Sequence, residues 1–195
     1  MDLQNITNLI EGIGVILVAY WSYNQYTKNK LTDKKIEDLK KEEKKRSAER
    51  NDNISKIYFD LYRILIDLKA DRVYILQPHP LINNHYISVG FEVKQKGITE
   101  IKPKLQDIPI QDIPNIVDKM ARRDWLIYKS IETEMEDKRV KSFLKGSGTY
   151  GIYVKKMSTE KDSWVGSIIV DFMENIEVPI DYAKALILEV AESIQ

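Results

Sequence analysis

The chain has 195 residues, 43% of them hydrophobic and 31% charged, which suits one ordinary domain with an appendage and excludes wholesale disorder. Its 30 basic and 30 acidic side chains cancel, which argues against a nucleic-acid binder working through bulk positive charge. There is no cysteine, so disulfides, thiolate metal sites and cysteine nucleophiles drop out together, and His79 and His85 are too few for a histidine-rich metal site.

The neutrality hides a segregation along the chain. From Met1 to Thr27 only Asp2 and Glu11 are ionisable, and there is no Lys or Arg. Gly12 to Thr27 carries no formal charge; with Leu9 and Ile10 the apolar run makes about 27 Å of helix at ~1.5 Å per residue, against a bilayer core of ~30 Å. Tyr20, Trp21, Tyr23 and Tyr26 cluster at one end as an interfacial belt would, with Lys28 and Lys30 beyond them. Residues 1–27 therefore read as a single transmembrane anchor. The competing readings are a helix buried in a protein assembly and an amphipathic surface helix; a signal peptide lacks both its basic leader and its cleavage site. The positive-inside rule puts the N-terminus outside and everything after Thr27 in the cytoplasm, at the inner or cell membrane.

Residues 28–50 carry a net charge of +4 and no Pro or Gly, which predicts a charged helical stalk supported by i,i+4 pairs Glu37–Lys41 and Glu42–Arg46. Leu31, Ile36 and Leu39 do not continue as a heptad, so a coiled coil is unsupported. From residue 51 the pattern changes. Ile54, Ile57, Tyr58, Leu61, Ile64, Leu65 and Leu68 form one helical stripe, and Phe59, Tyr62 and Ile66 a second. Such a helix has more apolar surface than one sheet face covers, and the second stripe needs another helix, from the C-terminus or from another subunit. The last helix, after Pro179, poses the same problem. Ile54, Tyr58, Leu61, Leu65, Ile187 and Val190 are accordingly the candidate homodimer surface.

Between these helices, Val73–Leu76 and His85–Lys94 read as strands, the second with Ile87, Val89, Phe91 and Val93 on one face. A proline-dotted loop leads to a short helix near 116–123. Leu126–Ile131 is a predicted strand and Thr133–Lys145 a charged helix ended by Gly146. Residues 149–157 and 164–173 form a strand pair. This order predicts an α+β domain, an antiparallel sheet flanked by helices, over 51–195.

The order of elements, the opening ADRVYILQPHP (70–80) and the closing WVGSIIVDFM (164–173) resemble a GAF domain; a PAS-type sensory domain is the nearest rival. The resemblance implies a small-molecule sensor or a dimerisation module. The Asn-Lys-Phe-Asp-Glu-like motif of cyclic-nucleotide-binding members is absent, as is the Cys that bilin-binding members use to attach their chromophore. No output segment follows the final helix in this sequence, so a sensor is expected to signal through a partner protein.

A pocket is expected over the sheet, beneath the 95–115 loop and the helix after it. Tyr74, His79, Phe91, Trp125, Tyr128 and Tyr153 are its candidate ligand-binding residues, with ordinary core packing as the competing account of the aromatic ones. Asp71 and Arg72 suit an ion pair or cap at a strand start, or a phosphate contact. Gly146-Ser147-Gly148 lacks the Gly-x-Ser-x-Gly pattern of a nucleophile elbow and the Lys-Ser/Thr ending of a P-loop. Glu132, Glu134 and Glu136 fall on a solvated helix with nothing to desolvate them. The sequence thus predicts no catalytic residue, metal or cofactor. The leading expectation is a non-enzymatic, membrane-anchored scaffold that self-associates, touching the bilayer, a second copy and an unidentified protein, and no nucleic acid. The alternatives are a small-molecule sensor and a virion-associated or holin-like bacteriophage membrane protein.

Overall fold

No glycine or proline falls between Gly14 and Pro78, so nothing in the covalent chemistry stops a helix begun there. The computed structural model carries one α-helix, α1, from Leu3 to Asp67. The structure describes residues 3–80, 85–159 and 163–194; within α1, side chains are described in part up to residue 33 and throughout from Lys34. The chain separates into two units, residues 1–53 and 54–195.

In the first unit, the predicted pairs are formed: Lys41 lies 2.7 Å from Glu37 and Arg46 lies 2.6 Å from Glu42. The expected anchor falls largely on side chains outside the described residues. Among the described residues no helix is long and apolar enough to cross a membrane, so the anchor rests on the sequence argument alone. Helix α1 runs through residue 50, where the sequence reading passes from stalk to domain. Asn51, Asp52 and Asn53 are weak helix formers, but each costs only tenths of a kcal/mol, too little to stop a helix.

In the second unit, α1 ends in a paired left-handed cap. Lys69 adopts φ +51°, its N–H donates to Ile66 O at 3.1 Å, and Ala70 N–H donates to Leu65 O at 3.0 Å. The chain then builds an antiparallel sheet from β1 (Arg72–His79), β2 (Tyr86–Lys94), β3 (Ile108–Pro109), β4 (Trp125–Tyr128), β5 (Gly151–Ser158) and β6 (Trp164–Phe172). The spatial order is β3-β2-β1-β6-β5-β4. Helices α2 (Pro114–Arg122), α3 (Ile131–Glu134) and α4 (Lys138–Gly146) connect its strands, and α5 (Ile180–Ile194) closes the domain.

Strand alternation sends side chains to two separate cores. Val73 and Ile75 of β1, Tyr153 of β5 and Val170 of β6 meet Leu61, Ile64 and Leu68 of α1 and Ile187 and Val190 of α5. Tyr74, Leu76, Ile152, Val154 and Ile169 meet α2, α4 and the 101–113 loop on the other face. Each fully buried aliphatic side chain contributes about 1.5–3 kcal/mol. Helices α1 and α5 are also clamped to each other: Arg63 makes two bonds to Glu189, at 2.7 and 3.1 Å, and Ser193 Oγ donates to Asp60 at 2.9 Å.

That pairing relocates the residues expected at a homodimer surface. Leu61, Leu65, Ile187 and Val190 are buried inside the domain, and Tyr58 packs edge-on against Phe91 at 5.5 Å. Only Ile54 of that set is exposed. The second helix that α1 needs for this stripe comes from the same chain, because α5 brings an apolar stripe of its own to the same sheet face. The other stripe stays uncovered in this chain, with Phe59 71%, Tyr62 48% and Ile66 69% exposed.

Two further differences have local causes. The predicted helix 133–145 is split, because Asp137 turns from helix interior to N-cap, accepting the Arg139 and Val140 N–H groups at 3.1 Å, with Met135 extended and buried before it. The strand expected over 126–131 stops at Tyr128, where α3 takes up the chain.

A cavity on the short-helix face of the sheet

The sheet face opposite α1 and α5 is covered by short pieces, and they leave a cavity of about 260 Å³. Its floor is Tyr74 and Leu76 of β1, Ile152 and Val154 of β5 and Ile169 of β6. Ile116 and Met120 of α2 and Val140, Phe143 and Leu144 of α4 make the walls. Leu105, Ile108 and Ile113 cover it from the proline-dotted loop, and Lys104 and Arg139 bring the charged groups. The predicted place over the sheet, under this loop and the helix after it, is where the cavity lies.

The loop is tied down along β2. The Glu92 carboxylate accepts the Ile101 and Lys102 N–H groups at 2.9 and 2.7 Å, and Lys102 Nζ donates to Gly90 O at 2.7 Å. Gln106 Nε2 donates to Val89 O at 3.0 Å, and Val89 N–H donates to Leu105 O at 2.9 Å. Asp107, held at φ +52°, donates its N–H to Ser88 Oγ at 2.8 Å. The sequence did not single out Glu92 as the group that anchors this loop; its only signal was a carboxylate on the strand that precedes it.

Of the six candidate ligand-binding residues, the structure places Tyr74 in the cavity lining. Tyr128 is buried on the same face but borders a neighbouring polar cleft with Lys119 and Glu136. Phe91, Trp125 and Tyr153 lie on the helix side of the sheet. For Phe91 the reason is a bulge in β2: Ile75 pairs with Phe91 but Leu76 pairs with Val89, so Gly90 is an extra residue. Ile87 and Val89 therefore face the cavity side while Phe91 and Val93 face the helices. A Cβ at Gly90 would meet only the end of the flexible Gln77 side chain, which would have to shift. Trp125 is flanked by Lys155 at 5.5 Å and Lys184 at 5.9 Å, and Tyr153 packs edge-on against Phe172 at 5.4 Å.

His79 lies at the C-terminal end of β1, outside the lining, stacked on Tyr86 at 5.8 Å. Its Nε2 is 2.8 Å from Ser88 Oγ and 3.3 Å from Asp107 Oδ1. Both partners sit on the same ring nitrogen, so Asp107 cannot orient the imidazole from Nδ1 as a Ser-His-Asp arrangement requires. Among the described residues no group of three or more His, Cys, Asp or Glu side chains could hold a metal ion.

Next to Tyr74, Arg72 and Asp171 form a fully buried pair. Arg72 Nε donates to Asp171 Oδ2 at 2.9 Å with a second bond from Nη2, and Thr149 Oγ1 donates to the same oxygen at 3.1 Å. Arg72 Nη1 also donates to Thr99 O at 2.8 Å. The guanidinium is thus committed to the protein, and Asp71 caps the Met173 N–H at 2.7 Å. Burial pushes the Asp171 carboxyl up to about 6, with the Arg72 charge and bonds opposing it; Oδ1 is buried and has no hydrogen-bond partner among the described residues. Burial also pushes the Tyr74 phenol well above its ordinary value, so it stays neutral.

No protein-family model and no curated protein matches the chain. Solved structures do. The photoproduct state of a GAF domain, GAF3, from Synechocystis sp. aligns with TM-score 0.60 and 11% identity, covering 73% of this chain and 90% of that one. The blue-light-absorbing form of the Thermosynechococcus elongatus PixJ GAF domain aligns with TM-score 0.59 and 15% identity, covering 75% and 86%. A far-red-absorbing dark state with bound biliverdin aligns with TM-score 0.55 and 10% identity, covering 74% and 93%. At these identities the likeness is one of fold. The antiparallel sheet with its flanking helices is GAF-like.

Proposed function

We propose that the 54–195 domain is a non-catalytic sensory module that takes a small ligand in the cavity over its sheet and passes the event to a partner protein. The observation that carries this is the cavity itself: apolar on nearly all sides, reached by few polar groups, on a fold whose solved examples include light-sensing and biliverdin-bound domains. Two features separate this chain from those examples. It has no cysteine to attach a chromophore covalently, and about 260 Å³ is small for a linear tetrapyrrole, since drug-sized ligands already occupy roughly 300–1,000 Å³. The ligand is therefore a compact, mainly apolar molecule.

A thermal-shift screen of the full chain against small apolar metabolites tests this. A ligand at 100 times its dissociation constant adds about 2.7 kcal/mol of stability, and Ile116→Trp, which fills the cavity, should abolish the shift. A shift that survives the plug would move the site elsewhere.

The N-terminal helix is proposed to hold this domain at the inner face of a membrane, on the strength of its cation-free apolar run and the Lys-rich stretch beyond it. Extraction of the chain by a carbonate wash would refute the spanning arrangement. A second proposal, self-association, is favoured by the exposed Phe59, Tyr62 and Ile66. Sedimentation of the wild type and of Phe59→Lys should then show a concentration-dependent species that the variant loses.

A further inference from the structure

Resting on the sensory reading, we infer that the cavity ligand is a small apolar carboxylate, its tail in the apolar chamber and its anionic head at Lys104 and Arg139. Among the described residues these two are the only charged side chains lining the cavity, and both are cations. Arg139 Nη2 lies 3.5 Å from Asp112 Oδ2, and its Nη1 donates to Asp112 O at 3.2 Å, so its charge is partly balanced. Lys104 makes no ion pair among the described residues, which leaves the lining with a net positive charge. Both side chains are on exposed residues, so they can meet an anion while it keeps part of its hydration.

The interior could not hold that charge. Leu76, Met120, Phe143, Ile152 and Ile169 offer no hydrogen bonds, and a buried unpaired carboxylate is strongly disfavoured. Tyr74 adds one polar group at the floor. It is 2% exposed and neutral. The head therefore binds at the cations, and the tail length follows from the modest volume.

Calorimetric titration of the full chain with sodium octanoate, octan-1-ol and octylammonium chloride tests the assignment. Octanoate should bind, octanol more weakly, and octylammonium not at all. Replacing Lys104→Met and Arg139→Met together should weaken octanoate about tenfold, at roughly threefold to fivefold per exposed ion pair, and leave octanol unchanged. Ile116→Trp should remove both, with Val140→Phe as the plug if the first variant does not fold. If octanol binds as tightly as octanoate and the plugs abolish both, the cavity is a binding site and the anionic class is wrong. If no probe binds the wild type, the sensory reading falls with it.

Discussion

The two faces of one sheet were filled by the same kinds of residue and came out differently. On one face, α1 and α5 lay long, continuous apolar stripes across β1, β5 and β6, and Leu61, Ile64, Ala183 and Ile187 are fully buried. On the other, α2 and α4 are short and the cover between them is a loop, so an equally apolar floor of Tyr74, Leu76, Ile152 and Ile169 keeps a cavity above it. Apolar strand faces do not by themselves decide between core and pocket. The length and continuity of what lies over them does, because close packing needs a cover whose side chains interdigitate along its whole length.

Four perturbations sharpen that contrast. The largest effect is expected at the buried pair beside Tyr74: Arg72→Met strands the Asp171 carboxylate and should cost about 3–5 kcal/mol in urea unfolding at neutral pH. Next, Ile187→Ala on the sealed face should cost about 3–4 kcal/mol, while Ile116→Ala beside the cavity should cost under about 2 kcal/mol, since fewer contacts are lost. Equal costs would mean that the two faces are packed alike.

The third concerns pH. The folded Asp171 carboxyl titrates near 6, above its ordinary value of 3.8, so the folded state binds the proton more tightly than the unfolded chain. Its stabilising contribution is complete below pH ~4 and is lost as pH rises through about 6, on the order of 2–3 kcal/mol. Unfolding midpoints measured from pH 4 to 7 should carry this falling component, and Asp171→Asn should remove it. The smallest effect is at the end of α1, where Lys69→Gly relieves a left-handed residue and should raise stability by about 0.5–1 kcal/mol. A loss there would mean that the lysine side chain contributes something its backbone strain conceals.

The sequence carried much of the architecture in readable form. The stripe from Ile54 to Leu68, the strand pair near the end of the chain and the stop at Gly146 are local patterns, each produced by the geometry of the element that bears it. The cavity was legible in position and much less so in its lining. Tyr74 lines the cavity, but Phe91 was carried to the other face by one extra residue at Gly90, and a strict period of two cannot reveal a bulge. Trp125 and Tyr153 presented the same apolar signal as a pocket wall would, and a single strand does not state which face its cover leaves open.

What sequence alone determined was therefore everything governed by neighbours within a few residues: the helix stripes, the charged segment with its Glu37–Lys41 and Glu42–Arg46 pairs, the strand pair at the end and the lack of thiol chemistry. Tertiary structure decided the rest. Arg72 found Asp171 across 99 residues, α5 rather than a second subunit covered Leu61 and Leu65, and Lys104 and Arg139 met at one cavity from different segments. Those outcomes depend on which distant surfaces compete for the same burial, and that competition is settled only when the whole chain has packed.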